Sequence, residues 1–146
     1  SGSRLSPAGS FTSSRDLSYM ISTFRWICVI AWMALIYYLS SIPAIDIPPG
    51  PKVVSILIHF FEFFVLALLI SWAIHGGLRQ KVHTSTLVSA FIVAVFYGLL
   101  DELHQLYVPG RVTDMVDLTV DALGALVAIL SIVSVDVVRK RLNEST

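Results

Sequence analysis

The stretch Leu87 to Arg111 reads LVSAFIVAVFYGLLDELHQLYVPGR. Its first 14 residues carry no charge, and the next five bring Asp101, Glu102, His104 and Gln105. A Pro109-Gly110 turn signal and Arg111 follow. Extended to Thr86 and Tyr107, the run is close to the roughly 20 residues that cross a hydrocarbon core of about 30 Å. It predicts a transmembrane helix whose final turns are polar.

Three further runs have the same character, at about Tyr19 to Leu39, Val53 to Ile74 and Met115 to Val138. Hydrophobic residues make up 55% of the 146-residue chain and charged residues 14%, against about 45–50% and about 25% in soluble domains. Backbone groups in lipid must bond within their own segment, so the four runs are expected to be helices. The connectors suit turns. SSIPAIDIPPGP, from Ser40 to Pro51, holds four prolines and a glycine and cannot continue a helix. The expected fold is an all-α, four-transmembrane-helix bundle over residues 18–139. A polar, disordered tail is expected at 1–17 and a short cytoplasmic tail at 140–146.

With ten Lys and Arg against ten Asp and Glu, the formal net charge is zero, so no global field points to nucleic acid. The lipid bilayer is the partner the composition implies. Cys28 is the one cysteine, which excludes an internal disulfide. Arg4, Arg15, Arg25, Arg79, Lys81, Arg139, Lys140 and Arg141 fall on one side of a four-span topology, Lys52 and Arg111 on the other. The excess of cations predicts both termini on the cytoplasmic side.

The polar residues inside the spans have a pattern. His59 and Glu62 are i and i+3; Asp101, His104 and Gln105 are three and four apart. Asp114, Asp117 and Asp121 repeat the three-and-four spacing. Each set lies along one helix face. All belong to the outward half of the bundle. Six carboxyls, Glu62, Asp101, Glu102, Asp114, Asp117 and Asp121, therefore gather where ionised groups are costly and should line an outward-opening pocket. So many carboxylates need compensation by protons, by a metal cation or by a cationic group on a ligand. The spacings match no strict metal motif, so no metal ligand and no cofactor is assigned; a weak metal version would use His59, Glu62, Asp101 and Asp117. Arg111 is expected either to clamp an anionic group or to pair with Asp114. Gly124 and Ala125 are expected at a close helix contact. Trp26, Trp32, Tyr37, Tyr38, Trp72, Tyr97 and Tyr107 are expected mostly as interface anchors.

The block DELHQLYVPGR, followed by DxxD and DALGAL and preceded by Lys52 and HFFEF, resembles the signature of the VanZ-like family of small bacterial membrane proteins. The resemblance covers about Tyr37 to Leu130. It places the family's polar signature on His59, Glu62, Asp101, Glu102, Gln105, Pro109, Gly110, Arg111, Asp117, Asp121 and Gly124. Asp121 and Phe63 stand where the family pattern often has Asn and Tyr, which makes this pocket more acidic and removes a phenol. The resemblance implies a bacterial cell membrane and a phenotype, low-level resistance to the glycopeptide teicoplanin, rather than a defined reaction.

Two readings carry most weight. One is an enzyme acting on an envelope lipid or glycan intermediate, the other a protein that binds such a precursor or a glycopeptide. In the enzyme, His59, Glu62, Asp101, Glu102 and Gln105 are the catalytic candidates, with Glu62 or Asp101 as base and His59 as partner or acid. Arg111, Asp117, Asp121 and His104 are the substrate-binding candidates. The alternative is a non-catalytic accessory subunit of a larger membrane complex. A proton or cation pathway is disfavoured because the inner half lacks polar residues for an exit.

Overall fold

In the computed structural model, residues 14–46, 50–76 and 82–145 are described. Helices α1 (Ser14–Ser40), α2 (Lys52–His75), α3 (Thr84–Gln105) and α4 (Met115–Glu144) are joined by a short 3-10 turn at Ala44–Asp46 and by loops. All four are long and apolar enough to cross a membrane, since even the 22 residues of α3 extend about 33 Å at 1.5 Å per residue. No strand occurs among the described residues. The expected all-α, four-span architecture is what the chain adopts.

Large apolar side chains are exposed on every helix, including Tyr19, Phe24, Phe61, Phe96 and Leu130. A soluble domain does not leave such surface in water. The interior is made mostly of small residues with a few large ones. Ala67, Ala90, Ala94, Ala125 and Ala128 are fully buried beside Phe63, Leu66 and Ile70. Small residues let helices approach in lipid, where apolar surface alone does not drive them together. Helix α2 is the hub and packs against α1, α3 and α4, most extensively against α4. Gly124 shows how closely: a Cβ there would lie 2.3 Å from the Phe60 carbonyl oxygen. The expected close contact at Gly124 and Ala125 is present.

The element ends differ from the expected ones for local reasons. α1 begins at Ser14, so residues 14–17, expected in the tail, are helical; Asp16 in the first turn suits the helix N-terminus. Residues 1–13 of the expected tail lie outside the described residues, as do Arg4, Arg79 and Lys81. α3 stops at Gln105 because the chain tightens into i→i+3 bonds, Tyr107 N–H to His104 and Val108 N–H to Gln105. α4 runs through the expected C-terminal tail to Glu144. Its extension carries Lys140, paired with Asp136 one turn before it, and Arg141 in the last turn, cations that favour a helix C-terminus.

Two of the expected anchors instead tie helices together. Trp32 Nε1 donates to the Glu62 carbonyl at 2.9 Å, and the Tyr97 hydroxyl donates to the Met33 carbonyl at 2.6 Å. Tyr38 and Tyr107 are exposed as anchors would be.

Candidate functional site

The site lies where α1 and α3 end and α2 and α4 begin. Its rim is built from loops. Val108 to Arg111 form a type II turn: Arg111 N–H bonds the Val108 carbonyl, Pro109 takes the second position, and Gly110 has φ 75°. That left-handed conformation suits glycine. A Cβ on Gly110 would also lie 3.2 Å from Ala44 Cβ. Ala44 N–H bonds the Pro109 carbonyl, joining the two loops at this end of the bundle.

Arg111 completes that junction. Its Nε donates to the Ile42 carbonyl and one terminal nitrogen to the Leu39 carbonyl, both at 3.1 Å. It therefore caps the C-terminal end of α1, where carbonyls lack helical partners. Two of the five guanidinium donors are used this way. The expected alternative, a pair with Asp114, is not formed. Lys52 holds that carboxylate at 2.8 Å, and Asp114 also caps α4 by accepting from Val116 N–H. The Lys52 hydrogen bond, followed by that from Val116, holds the Asp114 carboxyl below the usual carboxylate range.

Below the rim, three helices bring their polar stripes together. His59 of α2 meets Asp121 of α4, with Nδ1 3.1 Å from Oδ1. The histidine thus pairs across helices and not with Glu62, three residues along its own helix. Asp121 has 0% exposure and Glu102 6%, so neither can rely on solvent. Glu102 Oε2 accepts the Asp114 backbone N–H at 3.1 Å, linking α3 to the start of α4. Gln105 Nε2 donates to Asp101 Oδ2 at 3.0 Å. Glu62 lies within electrostatic range of His59, Asp101, Asp121 and Arg111, and Asp117 within range of His59, Glu102 and Asp121.

The unused acceptors are more informative than the bonds. Glu102 Oε1, Asp117 Oδ1 and Asp121 Oδ2 are buried and have no hydrogen-bond partner. One donor atom each from His59, Glu102 and Asp121 lie within 4.8 Å of one another, so these residues could hold a cation.

The expected site residues thus divide. His59, Glu62, Asp101, Glu102, Asp117 and Asp121 gather within electrostatic range of one another, and Gln105 joins them through its bond to Asp101. His104 turns away from this cluster: Nε2 is 3.0 Å from Ser41 Oγ and its ring lies 4.4 Å from that of Tyr37. Gly98 was not singled out from the sequence. A Cβ there would meet Asp121 Oδ2 at 3.1 Å and Phe63 Cε1 at 3.2 Å, so its missing side chain makes room for the buried carboxylate. An isolated glycine in an apolar helix is the one signal that could have found it.

A small four-span membrane protein with a buried carboxylate–histidine cluster near one end is the class this geometry defines. The VanZ/LLP1 family model matches residues 12–137, and the chain belongs to that family. It is 32% identical over 93 residues to an uncharacterised protein of Schizosaccharomyces pombe; the match covers 64% of this chain and 52% of the relative. The chain thus spans about half the length of this curated relative. No solved structure matches.

Proposed function

We propose that the protein binds the polar head of an amphiphile of the cell envelope, with the cluster at the outward end of the bundle as the binding site. The three buried carboxylate oxygens without partners carry this reading. Buried acceptors without partners are costly, and a head group rich in hydroxyl or amine donors would satisfy them. A lipid-linked glycan precursor and a lipid-bearing glycopeptide of the teicoplanin type both have such heads.

A second feature supports an amphiphile rather than a soluble ligand. Beside Glu62 lies an apolar groove of about 310 Å³, lined by Trp32, Val54, Leu57, Ile58, Phe61 and Val65. An acyl chain lying there would keep its head next to the cluster. In this reading Arg111, at the rim and within electrostatic range of Glu62, meets an anionic part of the head with its remaining donors. Catalysis would use His59 with Glu62 or Asp101 as the proton-transfer pair. Both termini lie in the cytoplasm under the same proposal. A maleimide reagent added outside should then modify Cys at Val112 and not at Ser145; labelling at Ser145 alone would reverse the topology.

The test is binding to the protein in lipid nanodiscs, measured by native mass spectrometry with a lipid-linked glycan precursor and with teicoplanin. Asp121→Asn and Glu102→Gln should weaken retention of at least one ligand while the bundle stays folded. Equal retention by parent and both variants would remove the cluster from ligand binding.

A further inference from the structure

We propose that His59, Glu102 and Asp121 form a site for one divalent transition-metal ion that links α2, α3 and α4. The inference rests on the same cluster as the proposed binding function and assigns it a metal.

Three observations converge. The first is proximity: one ligand atom from each residue falls within 4.8 Å of the others, and all three residues are buried. Two ligands each about 2.1 Å from an ion sit about 3–3.5 Å apart. The 3.1 Å between His59 Nδ1 and Asp121 Oδ1 already has that value, and small side-chain rotations would bring Glu102 in. The second is the sign of what is unsatisfied. The unpartnered atoms at this place, Glu102 Oε1, Asp121 Oδ2 and Asp117 Oδ1, are all carboxylate oxygens. The nearby fixed cations are engaged elsewhere, Lys52 on Asp114 and Arg111 on the Leu39 and Ile42 carbonyls. The third is support and space. The Asp114 N–H holds Glu102 by its other oxygen, an orienting bond of the kind that positions metal ligands. Gly98 leaves open the volume into which Asp121 Oδ2 points.

The donor set selects the class of ion. An imidazole suits Zn²⁺ or another first-row transition ion, whereas Ca²⁺ and Mg²⁺ prefer all-oxygen sites. Mixed nitrogen and carboxylate donors therefore point to Zn²⁺ or Mn²⁺. No pair of these ligands comes from one helix, which explains why local spacing gave no metal motif.

The experiment uses the full chain in nanodiscs after chelator treatment and desalting. Zn²⁺ is titrated against a chelating dye, and bound metal is counted by mass spectrometry. One Zn²⁺ per chain is expected, with Ca²⁺ and Mg²⁺ failing to displace it. Glu102→Gln and Asp121→Asn should each weaken Zn²⁺ binding by at least about tenfold. Asp136→Asn, at the other end of the bundle, should leave it unchanged. Mn²⁺ bound to the parent protein should show nitrogen hyperfine coupling from His59, a result independent of whether any variant folds. Failure of the folded parent to take up stoichiometric metal would overturn the site. So would uptake unchanged in both site variants, or Mn²⁺ without nitrogen coupling. Amphiphile binding that persists without metal uptake would reject the metal and keep the proposed function. Metal uptake without amphiphile binding would do the reverse.

Discussion

The two ends of the bundle are built from the same kind of helix and solve opposite problems. At the end that holds the cluster, His59, Glu102, Asp114 and Asp121 are tied by bonds that cross between helices. At the other end the space between α2, α3 and α4 is an apolar cavity of about 370 Å³, with Leu68, Leu69, Trp72 and Ile132 among its walls. Asp136 there pairs with Lys140 on its own helix, and the Arg25 guanidinium of α1 lies 5.5 Å from the Trp72 ring centroid of α2. A pair made within one helix, as Asp136 and Lys140 make it, needs no particular helix arrangement. Groups that meet only across helices fix one, and that is where a site can be held in a defined shape.

The largest effect should come from breaking the cluster's network at its centre. His59→Leu leaves Asp121 buried without its partner, a change that typically costs about 3–5 kcal/mol. The double variant His59→Leu/Asp121→Leu should recover much of that loss, because the uncompensated charge leaves with the histidine. Thermal unfolding in detergent checks both. If the double variant is no more stable than the single, the pair is not what His59 contributes.

Gly124→Ala attacks the same end through packing. The new methyl would enter the space of the Phe60 carbonyl, and overpacking of this kind costs about 1–3 kcal/mol. Gly98→Ala meets looser neighbours at 3.1 Å or more and should cost less. A reversed order in Tm would show that α2 and α4 are not the tightest pair.

Arg111→Ala removes two hydrogen bonds from a charged donor to the end of α1. Bonds to charged groups contribute about 1.5–3 kcal/mol each, but neutral ones only about 0.5–1.5, and Arg111 is half-exposed. A loss of about 1–2 kcal/mol is expected, with partial recovery in Arg111→Lys. Unchanged stability together with lost ligand retention would move Arg111 from scaffold to site.

The smallest effects should come from the rim and from the opposite end. Asp114 is held below its ordinary carboxylate range by Lys52. Its contribution is therefore present above the unfolded carboxyl's pKa and is lost as pH falls through the lower folded value. Lys52→Ala should flatten that acid limb and leave stability near neutral pH almost unaltered. Ser71→Ala, which removes a buried hydroxyl without a hydrogen-bond partner, should be neutral or slightly stabilising. Clear destabilisation by Ser71→Ala would mean that the opposite end, too, depends on a polar contact.

Four spans, their approximate limits and the grouping of acids toward one side were legible in the chain. A charge-free run of membrane length has few alternatives, and residues three or four apart must share a helix face. Gly124 was legible for the same reason, as a small residue on an apolar helix. The pairing of His59 with Asp121, of Glu102 with the Asp114 N–H and of Arg111 with the Leu39 and Ile42 carbonyls was not. Residues 62 positions apart, as His59 and Asp121 are, have no local rule linking them; their meeting depends on helix rotation and approach. That rotation is set by contacts such as Gly124 on Phe60. The sequence by itself determined that this chain crosses a membrane and concentrates its carboxyls at one end. Only the tertiary structure decided which carboxylates spend their oxygens on other helices and which keep one free.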